Sequence, residues 1–360
     1  MKIPTSMQAA ILTAQHQSLV VDDVQLPKEL QVGQVLVRVL FSGICGSQIG
    51  EINGVKGPDR FLPHLLGHEG TGDVIACGPG VSYVAEGDRV VLHWRPSKGI
   101  QAQPPEYYWN GKPLNAGFVT TFNEYAIVSE NRLTTIPKDI NPRTGTLLGC
   151  AVTTGLGVIS NNAKLTMGQS LVVFGAGGVG LNIIQGGMLV SAYPIVGIDL
   201  TPNKLEMAHR FGATHTINAA CEPDILSAIR KALGSEHADV VIDNTGDPEV
   251  IHRAMQLTHQ KGKTILVGVP KKGDHVSFNP LPLFFGKELT GSHGGECNPG
   301  EDIPRYLKLY RAGRLELDAL VTHSFNLDRI NVAISKMQKG EIAGRCVIQM
   351  PDMKESLRIW

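Results

Sequence analysis

The chain has 360 residues, 42% of them apolar and 18% charged, a composition typical of a globular protein with two domains. Its 33 basic and 33 acidic residues balance, so no net positive field is present to attract nucleic acid or an anionic membrane. Six cysteines occur singly, without a C-x-x-C pair, and the N-terminus lacks the apolar core of a secretory signal; we therefore expect a cytoplasmic protein without a disulfide framework.

The first 130 residues are predicted to form a β-rich domain of short strands, because β-branched runs alternate there with glycine and proline turns. The predicted strands are residues 7–12, 19–24, 35–40, 73–77 and 122–129. Residues 93–117 are rich in proline and aromatic residues, and we interpret them as an inserted loop. Residues 147–157 have a helical pattern.

From residue 171 the pattern changes to alternating strands and helices, which predicts a doubly wound parallel sheet of the Rossmann type. The predicted strands are 171–174, 195–198, 215–217, 240–242 and 264–267, with helices at 203–211, 224–232 and 248–257. A further strand at 289–292, helices at 303–312 and 330–339, and a last strand at 346–350 complete the prediction. Stretch 165–198 lacks charged residues, but its glycines and Pro194 divide it, so no membrane span is predicted.

A glycine motif lies directly after the first of these parallel strands. It is the G-x-G-x-x-G sequence made of Gly175, Ala176, Gly177, Gly178, Val179 and Gly180. Such a turn lets backbone N–H groups approach a pyrophosphate at a helix N-terminus. Asp199 ends the second strand, where an acid accepts hydrogen bonds from the ribose 2′-OH and repels a 2′-phosphate; the motif therefore predicts NAD(H) rather than NADP(H). The alternative is a glycine-rich packing turn in an unrelated α/β domain.

A second group of residues has the chemistry of a metal site but is scattered along the chain. Cys45, His68, Glu69 and Cys150 have no motif spacing, and each taken alone is as compatible with a buried thiol or a loop residue. A hydride-transfer enzyme needs a group that polarises a carbonyl, and Zn²⁺ held by Cys and His with one open position does this. The residues alone leave both interpretations open.

Five segments together resemble the zinc-containing alcohol dehydrogenases of the medium-chain dehydrogenase/reductase family, nearly from end to end of the chain. These segments are Gly43-Ile44-Cys45-Gly46-Ser47, Gly67-His68-Glu69-Gly70, Gly149-Cys150-Ala151-Val152-Thr153-Thr154-Gly155, the glycine turn, and Gly344-Arg345. The resemblance implies a GroES-like catalytic domain split in sequence, with parts at 1–152 and 290–360 around a Rossmann domain at 153–289.

The resemblance also implies roles for the residues of a metal site. Cys45, His68 and Cys150 are expected to bind one catalytic zinc, with Glu69 behind them as a supporting carboxylate or an occasional ligand. Ser47 is expected to hydrogen-bond the substrate oxygen and to pass its proton on.

For the cofactor, the resemblance implies that Thr154 contacts the nicotinamide side. Asp199 and Lys204 are expected to hold the adenosine ribose, and Arg345 to reach the pyrophosphate.

The chain departs from the family pattern in three places. Many members have four clustered cysteines that bind a structural zinc, whereas residues 93–117 contain none, so no structural zinc is expected. Gly46 stands where some members have an arginine for the pyrophosphate, and Gly50 where some end a proton relay with histidine. Glu51, the next residue, is the substitute that we consider for that histidine.

The function implied is that of a zinc-dependent oxidoreductase that transfers a hydride between NAD(H) and an alcohol, aldehyde or ketone of small size. We expect a homodimer or homotetramer. Two alternatives stay open at this stage: a zinc-free quinone or enoyl reductase of the same fold, and a non-catalytic nucleotide-binding protein. The zinc ligand set argues against the first alternative, and the intact cofactor motif against the second.

Overall fold

The computed structural model describes residues 3–351 and divides into two compact units. The first unit comprises the described chain up to Cys150, Asn298–Arg311 and the chain from Leu317 on. The second comprises Ala151–Cys297 and the short return Ala312–Glu316. The functional limits expected from the sequence, 1–152, 153–289 and 290–360, stay a prediction, because compactness alone does not assign a function to a segment.

The N-terminal segment of the first unit consists mainly of strands. Its strands are β1 (Ser6–Leu12), β2 (Val20–Gln25), β3 (Gln34–Ile44), β4 (His64–Leu65), β5 (Glu69–Cys77), β6 (Arg89–His93), β7 (Tyr107–Trp109), β8 (Lys112–Leu114), β9 (Tyr125–Ser129) and β10 (Leu133–Thr135), and its helices are α1 (Gly46–Ile52) and α2 (Pro142–Gly145).

The second unit alternates helices and strands. Its helices are α3 (Ala151–Gly157), α4 (Gly178–Leu189), α5 (Pro202–Arg210), α6 (Ile225–Leu233), α7 (Pro248–Leu257) and α8 (Leu281–Phe284), and its strands are β11 (Leu171–Phe174), β12 (Ile195–Asp199), β13 (His215–Asn218), β14 (Ala238–Asp243), β15 (Thr258–Leu266) and β16 (Glu288–Gly291). The chain then completes the first unit with α9 (Pro299–Arg311), β17 (Val321–Asn326), α10 (Ile330–Gln338) and β18 (Arg345–Gln349).

The six strands of the second unit form one parallel sheet in the order β13-β12-β11-β14-β15-β16. This is the 3-2-1-4-5-6 order of the dinucleotide-binding fold. The inner strand β11 is buried at every position, as expected for a strand covered by helices on both faces. The predicted doubly wound parallel sheet is therefore confirmed.

The first unit contains two sheets, one ordered β4-β1-β2-β7-β8 and the other β10-β6-β5-β3-β18-β17, with β9 also paired to β3. Their apolar side chains form two buried clusters, and the larger cluster includes residues from β3, β5, β6, α10 and β18. The long strand β3 is central, because its first half pairs with β9 and its last residues pair with β18. The pairing with β18 fixes the position of the end of β3, and Cys45, the first candidate metal ligand, directly follows that end.

Residues 93–117, interpreted from the sequence as an inserted loop, contain the hairpin β7–β8 in the structure. Its turn is Asn110-Gly111, with φ of 50° and 72°, as a type I′ turn requires. The Tyr107 hydroxyl accepts a hydrogen bond from Ile127 N at 2.9 Å, and Trp109 Nε1 donates to Asp22 at 2.9 Å. These two aromatic side chains attach the hairpin to neighbouring strands.

Within residues 3–351, no helix has both the length and the hydropathy that crossing a bilayer would demand.

Candidate metal centre and cofactor site

Strand pairing brings Cys45 and His68 together. β3 and β5 are antiparallel, and Ser42 near the end of β3 lies opposite Gly70 near the start of β5. Cys45 follows β3 and His68 precedes β5, so both side chains belong to the same end of this strand pair. Cys45 also occupies the N-cap position of α1, which turns the chain away from the sheet.

Cys150 reaches the same place because Gly149 allows close backbone contact. A Cβ on Gly149 would collide with the Leu92 carbonyl oxygen and would lie 3.0 Å from Glu69 Cα, so only glycine fits there. The Cys45 and Cys150 sulfurs and one ring nitrogen of His68 all lie within 4.8 Å of one another. The three residues predicted as metal ligands are thus brought together by the fold.

The two thiols interact strongly with each other. Contact with Cys150 holds the pKa of Cys45 well below its ordinary value; burial opposes this shift, while Arg345 and His68 reinforce it. The same contact raises the pKa of Cys150 well above its ordinary value, because a second thiolate beside the first is unfavourable. A divalent cation between the two sulfurs removes this conflict by stabilising both thiolates.

The donor set fits zinc. Two thiolate sulfurs and one imidazole nitrogen are ligands that zinc prefers, and three protein ligands leave the fourth tetrahedral position open, as in catalytic sites. The Nε2 atom of His68 is buried and has no hydrogen-bond partner in the described protein, so no hydrogen bond to another protein group competes with a metal at this nitrogen. A bound zinc ion would be the partner of this nitrogen.

Gln48 is a site residue that the sequence interpretation missed. Its Oε1 accepts a hydrogen bond from Cys45 N at 2.9 Å, and its Nε2 contacts His68 Nδ1. The side chain is 2% exposed. The available signal was its place three residues after Cys45, at the N3 position of α1, where glutamine reaches back to the N-cap backbone.

Glu69 and Arg345 form a buried ion pair beside the cluster. Arg345 Nη1 lies 3.5 Å from Glu69 Oε1 and donates to the Ile44 carbonyl oxygen at 3.1 Å. Burial alone would lower the pKa of Arg345, but the Glu69 carboxylate and the two cysteines outweigh burial and raise it. Gly43 makes room for the carboxylate, because a Cβ there would collide with Glu69 Oε1. The predicted contact of Arg345 with a pyrophosphate stays a prediction.

Ser47 lies in the first turn of α1, two residues from Cys45. Its Oγ atom is buried and has no hydrogen-bond partner in the described protein. Because a buried hydroxyl is costly when unpaired, a substrate oxygen would be a favourable partner. Its role in proton transfer stays a prediction.

In the second unit, the glycine turn has the geometry of a dinucleotide site. Gly175 has a φ of +90°, and a Cβ on Gly180 would collide with the Gly175 carbonyl oxygen, so both positions require glycine. Gly177 is the N-cap of α4, and a Cβ there would meet no atom within 4 Å. Gly178 and Val179 lie in the first turn of α4, where the backbone N–H groups can donate hydrogen bonds to an anion. A pyrophosphate therefore fits against this turn.

Asp199 ends β12 beside that turn, as predicted. One carboxylate oxygen accepts a hydrogen bond from Ala176 N at 2.9 Å. The other accepts hydrogen bonds from Leu200 N at 2.8 Å and Thr201 N at 3.1 Å. Lys204 Nζ lies 3.7 Å from the second oxygen. These bonds hold the carboxylate in place, and recognition of a ribose by Asp199 and Lys204 stays a prediction.

Thr154 lies in α3 and is 6% exposed. Its predicted contact with the nicotinamide stays a prediction.

Comparison with known proteins agrees with this arrangement in both units. Residues 178–312 match the family described as zinc-binding dehydrogenase, and residues 31–138 match the alcohol dehydrogenase GroES-like domain. The chain is 31% identical to an S-(hydroxymethyl)glutathione dehydrogenase of Paracoccus denitrificans over 345 residues, which cover 86% of this chain and 91% of that protein.

Two solved structures share the fold over 96% of this chain and 99% of their own length, each at 28% identity with a TM-score of 0.86. They are a benzyl alcohol dehydrogenase from Acinetobacter calcoaceticus and an alcohol dehydrogenase zinc-binding domain protein from Burkholderia ambifaria.

Proposed function

We propose residue roles and a cofactor preference for this chain, which belongs to the zinc-binding dehydrogenase family and is a zinc-dependent, NAD-linked oxidoreductase of alcohols and carbonyl compounds. The observation that carries the proposal is the convergence of Cys45, His68 and Cys150, whose ligand atoms lie within 4.8 Å of one another. These three residues would hold one zinc ion. Bound there, the ion would supply Lewis-acid stabilisation of negative charge on the substrate oxygen.

The surrounding residues of the first unit have separate tasks. The two thiolates and His68 fix the position that the ion takes. Ser47 hydrogen-bonds the substrate oxygen, since its hydroxyl has no other partner in the described protein. As it takes up the proton that the alcohol releases, it passes its own hydroxyl proton on through the cofactor ribose and water. Glu69 balances the charge of Arg345 at 3.5 Å and thereby supports the buried end of the site.

In the second unit, the glycine turn binds the pyrophosphate of the cofactor. The nicotinamide ring of the cofactor would accept or donate the hydride. Asp199 favours NAD(H), because its carboxylate accepts hydrogen bonds from a ribose and repels a 2′-phosphate. Lys204 assists at the same ribose, and Thr154 contacts the nicotinamide side.

The substrate is proposed as a small primary or secondary alcohol, or the matching aldehyde or ketone. The names of the similar proteins supply two compounds for a first test, S-(hydroxymethyl)glutathione and benzyl alcohol. A panel should add short aliphatic alcohols and polyols, each with NAD⁺ and NADP⁺ in parallel at equal concentration.

The decisive experiment combines that panel with zinc analysis by elemental spectrometry. We expect about one zinc per chain, NADH fluorescence enhancement on binding, and turnover that a strong chelator abolishes and added zinc restores. Full activity after verified zinc removal would contradict the proposed role of the metal. Zinc-independent reduction of a quinone or enoyl compound would favour the alternative reductase, and cofactor binding without turnover would favour a nucleotide-binding protein.

We further propose that the protein is a cytoplasmic homo-oligomer that binds neither nucleic acid nor membranes. The balanced charge and six free cysteines support the location and the absence of polyanionic partners. Support for self-association comes from the second unit, where Phe284 is 83% exposed beside Leu281 and Phe285, and where β16 is a sheet edge. Analytical ultracentrifugation that gives a monomer at micromolar concentration would contradict oligomerisation.

A further inference from the structure

The side chain of Gln48 lies between two of the proposed zinc ligands. It contacts the backbone N–H of Cys45 through Oε1 and the Nδ1 atom of His68 through Nε2. A backbone N–H can only donate, so the amide atom that faces Cys45 must be the oxygen, and the –NH₂ group must face His68. Because the side chain is 2% exposed, bulk water does not compete for these contacts.

This arrangement fixes the hydrogen on the His68 ring. An –NH₂ group has no acceptor, so Nδ1 must accept, and the hydrogen of the neutral ring then sits on Nε2. A ring in that form has no lone pair on Nε2 to give to a metal. The contact therefore belongs to the metal-free protein.

Zinc binding through Nε2 reverses the requirement at the other nitrogen. The ring hydrogen is then on Nδ1, and ligand histidines are held by an acceptor at that atom, usually a carboxylate or a carbonyl oxygen. Gln48 has one acceptor oxygen, which Cys45 N already uses. If the amide turns its oxygen to His68, the buried N–H of Cys45 loses its partner, which costs free energy.

We propose that Gln48 is a positioning residue that limits how tightly this chain holds zinc, because one amide oxygen must serve two donors once His68 binds the metal. A carboxylate at this position has two acceptor oxygens and can serve the Cys45 N–H and the His68 Nδ1–H together. The inference rests on the proposed zinc site of Cys45, His68 and Cys150.

The test compares the zinc dissociation constants of Gln48→Glu and Gln48→Leu with that of the unaltered protein, by competition with a chromophoric chelator. Substitution of a residue that hydrogen-bonds a ligand histidine typically changes metal affinity by about 10- to 100-fold. We therefore expect Gln48→Glu to bind zinc at least about tenfold more tightly than the unaltered protein. Gln48→Leu, which offers no acceptor, is expected to bind it at least about tenfold more weakly.

A matched variant separates the acceptor from the added charge. Glu51 lies on the same helix and acts electrostatically on His68, so Glu51→Gln changes the local charge without touching the hydrogen bonds. We expect that variant to shift zinc affinity by less than about threefold, as for a screened surface charge. A shift as large as that of Gln48→Glu would overturn the inference, as would a Gln48→Glu protein that binds zinc no more tightly.

A measurement on the unaltered protein keeps the inference testable if a variant does not fold. With ¹⁵N-labelled histidine at pH 8, the ring that responds to zinc should carry its hydrogen on Nε2 before addition and on Nδ1 afterwards. A hydrogen on Nδ1 in the metal-free protein would overturn the inference. Failure of the zinc site itself gives a different result, namely no stoichiometric zinc or unchanged zinc retention in Cys45→Ser.

Discussion

The two candidate sites of this protein are built in opposite ways. The glycine turn of the second unit is contiguous in sequence, between one strand and the helix that follows it. The metal cluster of the first unit takes residues from three distant places, the end of β3, the start of β5 and a turn before α3. The first needs only local backbone conformation, whereas the second exists only when a sheet has formed.

This difference predicts what damages each site. Cofactor binding at the glycine turn should be weakened by any added side chain, but it should not depend on the state of the first unit. The metal cluster should depend on single ligand atoms and on conditions that loosen the sheet of the first unit. Four experiments test these expectations, from the largest expected effect to the smallest.

Removal of one thiolate should have the largest effect. Cys45→Ser is expected to lower kcat/KM by at least about 10³-fold, because the Lewis acid contributes several kcal/mol of transition-state stabilisation. Zinc content should fall with it, while the NADH dissociation constant stays within about twofold. Steady-state kinetics, elemental analysis and NADH fluorescence measure the three quantities, and Cys221→Ser, at an exposed cysteine, is the control. Retained zinc and turnover would contradict the ligand assignment.

Acid should destabilise the first unit through His93. The Nδ1–H of this buried imidazole donates to Arg95 O at 2.7 Å, and its Nε2 accepts from the Thr134 hydroxyl at 2.9 Å. Burial lowers the pKa of His93 to about 4. Since the unfolded chain takes up the proton near pH 6.5, the stability contribution is complete above that pH and is lost as the pH falls toward 4, by about 3 kcal/mol at most.

His93→Gln should be less stable at pH 7 but should lose less stability between pH 6.5 and 4. Denaturant unfolding of the zinc-free protein at several pH values measures the difference. If the free energy of unfolding fell equally with pH in the two proteins, His93 would not be the cause of the acid destabilisation.

Gly177→Val should damage the glycine turn alone. Among residues 3–351, apart from the two neighbours of Gly177 in the chain, no atom lies within 4 Å of a Cβ at this position, so stability and zinc content are expected to stay unchanged. NADH affinity should fall about 10- to 100-fold, because the side chain occupies the space proposed for the pyrophosphate and overpacking costs about 1–3 kcal/mol. Fluorescence titration measures the loss, with Gly117→Val as a control at an exposed position, where a Cβ would make only an ordinary contact of 3.7 Å with the Val119 carbonyl oxygen. Unchanged NADH affinity would place the cofactor elsewhere.

Asp199→Asn should have the smallest effect. The asparagine amide has one acceptor oxygen, whereas backbone donors bond to both oxygens of Asp199, so one hydrogen bond at the turn is lost together with the charge that repels a 2′-phosphate. The lost hydrogen bond should weaken both cofactors alike, so the ratio of their kcat/KM values isolates the effect of the charge. We expect the ratio of kcat/KM for NAD⁺ over NADP⁺ to fall about tenfold, the order of one hydrogen bond to a charged group. A ratio that does not change would mean that the carboxylate supports the turn without selecting the cofactor.

The sequence was a good guide to whatever depends on local pattern. The strand 171–174 and the helix 248–257 have the predicted limits in the structure, and the parallel sheet was predicted from the alternation of strands and helices. The hairpin at Asn110-Gly111 was missed, although that dipeptide favours a type I′ turn. The surrounding prolines and aromatic residues had suggested a loop instead.

The metal cluster could be assembled only through resemblance to a known family. Nothing in the spacing of Cys45, His68 and Cys150 brings them together, because their proximity comes from the pairing of β3 with β5 and from the close contact at Gly149. The contact of Gln48 with Cys45 N could be expected from its N3 position in α1, but its contact with His68 could not, since His68 is reached across that strand pair.

The place of β18 in its sheet has a consequence for how the chain assembles. This strand lies after the whole second unit in the chain, yet it pairs with β3 on one side and β17 on the other. A nascent chain therefore completes the whole second unit before β3 can gain this partner. Most of the first unit is thus synthesised before the second unit but can finish folding only after it.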